Sequence, residues 1–128
     1  MPKKIIQNGS SLGPYSQAVV VGRHCYVAGT GGFLPGTTRL VEGGIEAEIH
    51  QTMKNLEAVV SEAGYQMSDI VVVTAFLRDI SDWPLFNEIY SSYFVAEDAP
   101  ARAVVGVAEL PASANVEVTC VAYREDAA

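Results

Sequence analysis

The strongest constraint on the fold is the run Ile70–Leu77, which is almost entirely apolar and rich in β-branched side chains. Such a run is typical of a strand that is central in a sheet or covered on both faces. Segments with helical periodicity lie on either side of it. From Ile45 to Ala63, apolar residues recur every three or four positions, and Gly64 follows as a C-cap. The chain is therefore predicted to combine a sheet with helices packed on it.

The remaining elements follow from the same patterns. Residues 18–21 and 25–28 are apolar runs separated by a short polar connection, which predicts a hairpin. Asp82 and Pro84 mark the start of a second helix, and Phe86, Ile89, Tyr90, Tyr93 and Phe94 follow at helical spacing. Two more strands complete the chain. The predicted class is α+β, with a mixed sheet and the order β-β-α-β-α-β-β.

Two regions of this arrangement bear on function. Residues 29–44 contain six glycines and predict a turn-rich loop whose length points to a functional role. Two helices on one face of the sheet leave the other face bare, and we expect that apolar face to pack against other copies of the chain. The polar residues of the first helix are expected around its apolar stripe: Glu46, Glu48, Gln51, Lys54 and Glu57.

Composition limits the class of partner. The 128 residues carry a formal net charge of −7, with only eight Lys and Arg residues scattered along the chain. Binding to a nucleic-acid backbone depends on clustered basic side chains, so we expect no nucleic-acid partner. Because 49% of the residues are hydrophobic, the chain can bury a stable core. A single domain is expected over residues 1–128.

The sequence also lacks recognisable patterns for a signal peptide, a membrane span, a disulfide or a metal site. Residues 1–9 lack the apolar core of a signal peptide and no later segment has the length of a membrane span, so a cytoplasmic protein with no membrane partner is expected. Cys25 and Cys120 have no closely spaced partner and are expected to be buried, reduced thiols. No set of His, Cys, Asp or Glu has metal-site spacing, so we expect neither a metal nor a cofactor.

Two charged residues interrupt the apolar strands near the C-terminus. Arg102 lies in the run 99–107 and Glu117 in the run 116–123. Because arginine stays protonated in proteins, a buried Arg102 needs an anionic partner. Either the two side chains pair across adjacent strands, or Arg102 binds the carboxylate of a ligand. In the second arrangement, desolvation raises the pKa of Glu117 toward the range useful for acid–base work or for holding a water.

Three further polar residues are weaker candidates. Tyr15 either donates a hydrogen bond to a substrate or packs its ring at the sheet edge. Thr30 is a polar group at a strand end, in a glycine-rich stretch that lacks the features of a phosphate loop. Asn87, in the second helix, is expected to be exposed unless it makes a specific bond. No motif activates a Ser or Cys, so nucleophilic catalysis is disfavoured.

Short motifs along nearly the whole chain resemble the YjgF/RidA family. They are Gly13-Pro14-Tyr15-Ser16-Gln17-Ala18, Ala28-Gly29-Thr30, Phe86-Asn87-Glu88-Ile89-Tyr90, Pro100-Ala101-Arg102, Leu110-Pro111 and Val116-Glu117-Val118. The resemblance implies a chorismate-mutase-like α+β fold and a homotrimer with sites between subunits. It also implies hydrolysis of reactive 2-imino acids and their enamines, such as 2-aminoacrylate, 2-iminopropanoate and 2-iminobutanoate, to 2-keto acids and ammonia.

The resemblance also assigns roles by position. Arg102 matches the family arginine that binds the substrate carboxylate, and Glu117 matches the acidic residue that positions the attacking water. Tyr15 and Asn87 match cleft-lining residues. Thr30 stands where many members have Ser. Val104, also in the substrate-binding set, stands where well-studied deaminases have Cys, and Thr119 replaces a second acidic residue.

Three functions follow from these observations. The first is imine deamination without metal or cofactor. The second is a non-catalytic trimer in which Arg102 holds a keto acid and the protein has a sensing or regulatory role. The third, ribonuclease activity, conflicts with the acidic composition. Replacing Glu117 by Gln separates the first two, because only the first depends on that carboxylate.

Overall fold

The computed structural model describes residues 3–7 and 13–126, which form one six-stranded sheet and two α-helices. The strands are β1 (Lys4–Ile6), β2 (Ala18–Val21), β3 (His24–Gly31), β4 (Ile70–Leu77), β5 (Ala101–Gly106) and β6 (Val116–Tyr123). The helices are α1 (Gly44–Glu62) and α2 (Trp83–Ser91). Residues 1–2, 8–12 and 127–128, which include parts of the predicted domain and of the N-terminal segment 1–9, lie outside the described residues.

The strand order across the sheet is β1-β2-β3-β6-β4-β5. All neighbouring pairs are antiparallel except β4 and β5, which are parallel. A parallel pair requires a crossover connection, and α2 lies in that connection. The last strand, β6, returns to the middle of the sheet and inserts between β3 and β4. The predicted α+β class and mixed sheet are confirmed.

Both helices cover the same face of the sheet, and the core lies between them and the strands. Ile49, Met53 and Leu56 of α1 are fully buried, as the helical periodicity predicts. In β6, burial alternates strictly, so that Val116, Val118, Cys120 and Ala122 point into the core. Cys25 and Cys120 are free and buried, as predicted.

The other face of the sheet is not covered by any described residue of the chain. Large apolar side chains lie on it with 40–48% of their surface exposed: Val21, Tyr26, Val72 and Val105. Strand registers join these positions across the sheet, since Tyr26 pairs with Val121 and Val121 with Val72. The bare apolar face expected from the order of the elements is therefore present.

Several boundaries differ from the sequence prediction. The strand β1 was not predicted, because three residues are too few to show a period. Residues 29–31 belong to β3, so the glycine-rich loop begins only at Gly32. Helix α2 ends at Ser91, and Tyr93 and Phe94 pack against the core from the turn that follows. Glu48, one of the polar residues around the apolar stripe of α1, is buried and only 3% exposed.

Candidate active site

A cleft of about 160 Å³ lies beside the C-terminal end of β3. Its walls are the end of that strand, the loop 33–38, one side of α1 and Pro111. Its polar lining residues include Tyr15, Thr30, Asn55 and Glu117. A concave site with a few converging polar groups is the usual form of a small-molecule site.

Glu117 is the acidic group of the cleft. It is the second residue of β6 and pairs with Gly31 on one side and Phe76 on the other. Its side chain lies directly against the backbone of Gly29, where a Cβ would come within 2.5 Å of the carboxylate Oε2. Burial raises the pKa of Glu117. A partly desolvated carboxylate of this kind is a better proton acceptor than an ordinary glutamate.

Two hydroxyl groups line the same cleft. Thr30 donates its hydroxyl hydrogen to the carbonyl of Ala28 over 3.0 Å, which fixes the side chain at the end of β3. The ring of Tyr15 is 41% exposed and lies at the mouth of the cleft, in the segment before β2. Thr119, two residues beyond Glu117, donates to the carbonyl of Val27. The structure thus brings three of the candidate residues together: Tyr15, Thr30 and Glu117.

Arg102 lies elsewhere, on the edge strand β5. Its guanidinium carbon is 4.8 Å from the ring centre of Tyr90 in α2, an arrangement that stabilises a cation over an aromatic face. Among the described residues it makes no ion pair. Tyr90 is 6% exposed and its hydroxyl has no hydrogen-bond partner among those residues, while burial raises its pKa to about 12. The guanidinium therefore stacks on the Tyr90 ring, and its N–H groups are available to a ligand.

Val104 and Asn87 lie on β5 and α2, the elements that carry Arg102 and Tyr90, and not beside the cleft. Val104 is on the same face of β5, two residues along, and packs partly against the core. Asn87 is on α2, one turn before Tyr90, and is partly buried rather than exposed, contrary to the default expectation. The predicted site residues therefore fall into two groups. One group surrounds the cleft, and the other lies along β5 and α2.

The two groups do not meet within one chain. Strand β4 lies between β5 and β6, so the backbones that carry Arg102 and Glu117 are about 10 Å apart across the sheet. Arg102 is in register with buried Val73 and faces the helices, whereas Glu117 faces the opposite side. The prediction that they lie in neighbouring strands is wrong, and so is the alternative that they pair with each other.

Polar residues of α1 that hold the cleft in shape were not predicted as part of the site. Asn55 donates from Nδ2 to the carbonyls of Gly31 and Phe33, over 2.9 and 2.7 Å. Gln51 in turn donates to Asn55 Oδ1 over 2.8 Å. These bonds tie the end of β3 to the helix. Their signal in the sequence is a row of polar residues beside the apolar stripe, at Glu48, Thr52 and Asn55.

Within residues 3–7 and 13–126, no three His, Cys, Asp or Glu side chains lie close enough together to hold a metal ion. No helix in that part of the chain is long and apolar enough to cross a membrane. The expected absence of a metal and of a membrane partner remains a prediction.

Comparison with known proteins identifies the family. The family model described as Endoribonuclease L-PSP matches residues 6–124. A 2-iminobutanoate/2-iminopropanoate deaminase from Dermatophagoides farinae is 41% identical over 97% of this chain and 98% of its own length. Other curated relatives are named only as RutC family proteins.

Two solved structures show the same fold. RidA from the Antarctic bacterium Psychrobacter sp. is 36% identical, with a TM-score of 0.88 over 94% of this chain and 99% of that chain. TdcF from E. coli, solved with bound serine, is 30% identical, with a TM-score of 0.86 over 95% of this chain and 99% of that chain. The match extends over nearly all of the chain in each case, and the chain belongs to the YjgF/RidA family, whose family model is described as Endoribonuclease L-PSP.

Proposed function

We propose that this protein hydrolyses small 2-imino acids and their enamine tautomers to 2-keto acids and ammonia. The observation that carries the proposal is the carboxylate of Glu117, which is partly desolvated, set against Gly29 and open to a cleft of small-molecule size. Relatives about 41% identical over most of their length carry the name 2-iminobutanoate/2-iminopropanoate deaminase. Both the geometry and the relatives support the same chemistry.

The reaction needs an anchored substrate carboxylate, a held water and a route for protons, and no cofactor. Protonation of the imine nitrogen makes the adjacent carbon electrophilic. Glu117 accepts a proton from a water molecule as the water oxygen attacks that carbon, which gives a tetrahedral carbinolamine. Glu117 then returns the proton to the nitrogen and the carbon–nitrogen bond breaks. Ammonia leaves, and Glu117 accepts the hydroxyl proton as the oxygen becomes that of the keto group. Tyr15 and Thr30 supply hydroxyls that orient the substrate in the cleft.

Arg102 binds the substrate carboxylate in this scheme. A guanidinium offers two parallel N–H donors that match a carboxylate, and its support on Tyr90 leaves them available. Because Arg102 and Glu117 are separated within one chain, the complete site takes Arg102 from one copy and Glu117 from another. The bare apolar face of the sheet provides the surface for that association, and a homotrimer with sites between subunits is the arrangement we propose.

A coupled assay tests the activity. A dehydratase generates 2-aminoacrylate, and pyruvate release is followed with and without the protein, after subtraction of spontaneous hydrolysis. We expect the wild type to accelerate release and Glu117→Gln to lower the rate by about a hundredfold or more, because Gln cannot accept the proton of the water. The affinity of Glu117→Gln for pyruvate, measured by calorimetry, should stay within about twofold, since Arg102 is intact.

The same experiment distinguishes the alternative function. A wild type that binds pyruvate but does not accelerate its release from 2-aminoacrylate contradicts the deaminase proposal and favours a keto-acid-binding trimer with a sensing or regulatory role. A Glu117→Gln variant that retains the full rate removes Glu117 from the mechanism.

A further inference from the structure

Glu48 is a buried carboxylate that the proposed mechanism does not use. It lies in the second turn of α1, is 3% exposed, and forms no ion pair among the described residues. A buried carboxylate without a cation is costly unless its oxygens accept several hydrogen bonds. The groups that donate hydrogen bonds to Glu48 should therefore explain why it is buried.

All of its side-chain partners belong to the segment that begins β6. The backbone N–H of Asn115 donates to Glu48 Oε2 over 2.7 Å, and the Asn115 side-chain Nδ2 donates to Oε1 over 2.8 Å. The backbone N–H of Val116 also donates to Oε2, over 3.3 Å. Three donors thus converge on one carboxylate, and the next residue along the chain is Glu117.

Glu48 is itself firmly fixed. Thr52 donates its hydroxyl hydrogen to the Glu48 carbonyl over 2.7 Å. The absence of a side chain at Gly32 allows the loop to contact this part of α1, because a Cβ there would lie 2.6 Å from the Glu48 carbonyl oxygen and 2.7 Å from its Cγ. A fixed acceptor determines where the backbone of Asn115 and Val116 lies. The direction in which β6 starts then fixes where Glu117 meets Gly29.

We propose that Glu48 is a positioning residue for imine hydrolysis, which holds the start of β6 so that the Glu117 carboxylate is presented to the cleft. This inference rests on the proposed function. Glutamine has the same shape as glutamate but holds the segment less firmly, because it lacks the negative charge that strengthens all three hydrogen bonds. Its N–H₂ group would also face the Asn115 donor, unless the Asn115 amide turns over to present its oxygen.

The test compares Glu48→Gln with wild type in two measurements. In the assembled protein, a ¹³C NMR titration of the Glu117 carboxyl reports its surroundings directly. The residues that flank Glu117, Gly29, Gly31 and Phe76, do not titrate. Loosening the start of β6 admits water, so we expect the pKa of Glu117 to fall toward its ordinary value by about half a unit or more. We expect kcat to fall about tenfold while KM changes less than about twofold, since Arg102 is untouched.

Glu46→Gln is the matched control. It removes the same charge from an exposed position of the same helix, and should leave kcat and the titration of Glu117 unchanged. If Glu48→Gln does not fold, Asn115→Ala serves instead, because it removes only the side-chain donor and keeps both backbone bonds. That variant should move the pKa of Glu117 in the same direction by a smaller amount.

The outcomes separate the two proposals. If the wild type hydrolyses imines but Glu48→Gln, or Asn115→Ala in its place, leaves the kcat and the Glu117 titration unchanged, the positioning role is wrong and the proposed function stands. If the wild type shows no hydrolysis, the proposed function fails. The NMR titration then still decides whether Glu48 sets the environment of Glu117.

Discussion

The Glu117 carboxylate occupies a position that favours chemistry over stability. Burial disfavours its ionised form, and the folded protein therefore binds a proton there more tightly than the unfolded chain does. The stabilising contribution of such a group is complete below the pKa of the unfolded chain. It is lost as the pH rises through the raised pKa of the folded protein. At neutral pH, the ionised side chain therefore lowers the free energy of unfolding.

Replacing Glu117 by Gln should therefore stabilise the protein at neutral pH. We expect the melting temperature of Glu117→Gln to exceed that of the wild type by a few degrees at pH 7, at matched protein concentration. The difference should shrink as the pH falls below the ordinary range of glutamate, where both side chains are neutral. Calorimetric melting from pH 4 to pH 8 measures this dependence. A difference that grows toward low pH would contradict the stated cause.

Arg102 depends on its shape as well as its charge. Lysine keeps the positive charge but lacks the planar pair of donors and stacks less well on Tyr90. We expect Arg102→Lys to raise KM for the imino acid about tenfold or more and to weaken pyruvate binding by a similar factor. Arg23→Lys, an exposed site away from both groups of residues, is the control. Full affinity in Arg102→Lys would show that charge alone is enough.

Single elements of the structure follow closely from local sequence patterns, but their neighbours in the sheet do not. The bounds of β4 match the apolar run Ile70–Leu77, and α1 begins and ends within one residue of its periodic segment. The place of β6 between β3 and β4 depends on pairing between distant segments, which no local pattern records. For this reason, Arg102 and Glu117 could be recognised from the sequence as unusual residues. That β4 separates their strands could not be predicted.

The packing of β6 on the end of β3 makes Gly29 essential at the cleft. An added Cβ would lie 2.5 Å from the Glu117 carboxylate oxygen and 2.6 Å from its carboxyl carbon, so the acidic side chain has to move. We expect Gly29→Ala to fold and to lower kcat by about tenfold to a hundredfold, because Glu117 no longer reaches the same point in the cleft. Steady-state kinetics with circular dichroism checks this, and an unchanged kcat would contradict the placement of Glu117.

At the scale of the whole molecule, the bare face of the sheet and the divided site have one explanation. An apolar face with several side chains 40–48% exposed is unusual for a protein that remains monomeric. In the assembly we propose, association through this face buries it and brings groups of different copies together. The separation of Arg102 from Glu117 is then a property of the protomer and not of the site.

A charge on this face should prevent association. We expect Val72→Lys to give monomers by analytical ultracentrifugation and to lose nearly all hydrolytic activity, since the site is no longer completed. Val95→Lys is the matched control: Val95 is 67% exposed and lies in the loop after α2 rather than on the sheet. That variant should assemble and act like the wild type. Active Val72→Lys monomers would contradict a site shared between copies.

Mixing two inactive variants tests the shared site most directly. Arg102→Ala retains Glu117, and Glu117→Gln retains Arg102, so an interface is complete when the Glu117→Gln copy supplies Arg102 and the Arg102→Ala copy supplies Glu117. Unfolding and refolding them together in equal amounts should restore activity to about a quarter of the wild-type value, because one in about four interfaces then combines both intact residues. Activity no higher than the average of the two separate variants, while wild type treated in the same way recovers fully, would contradict the proposed arrangement.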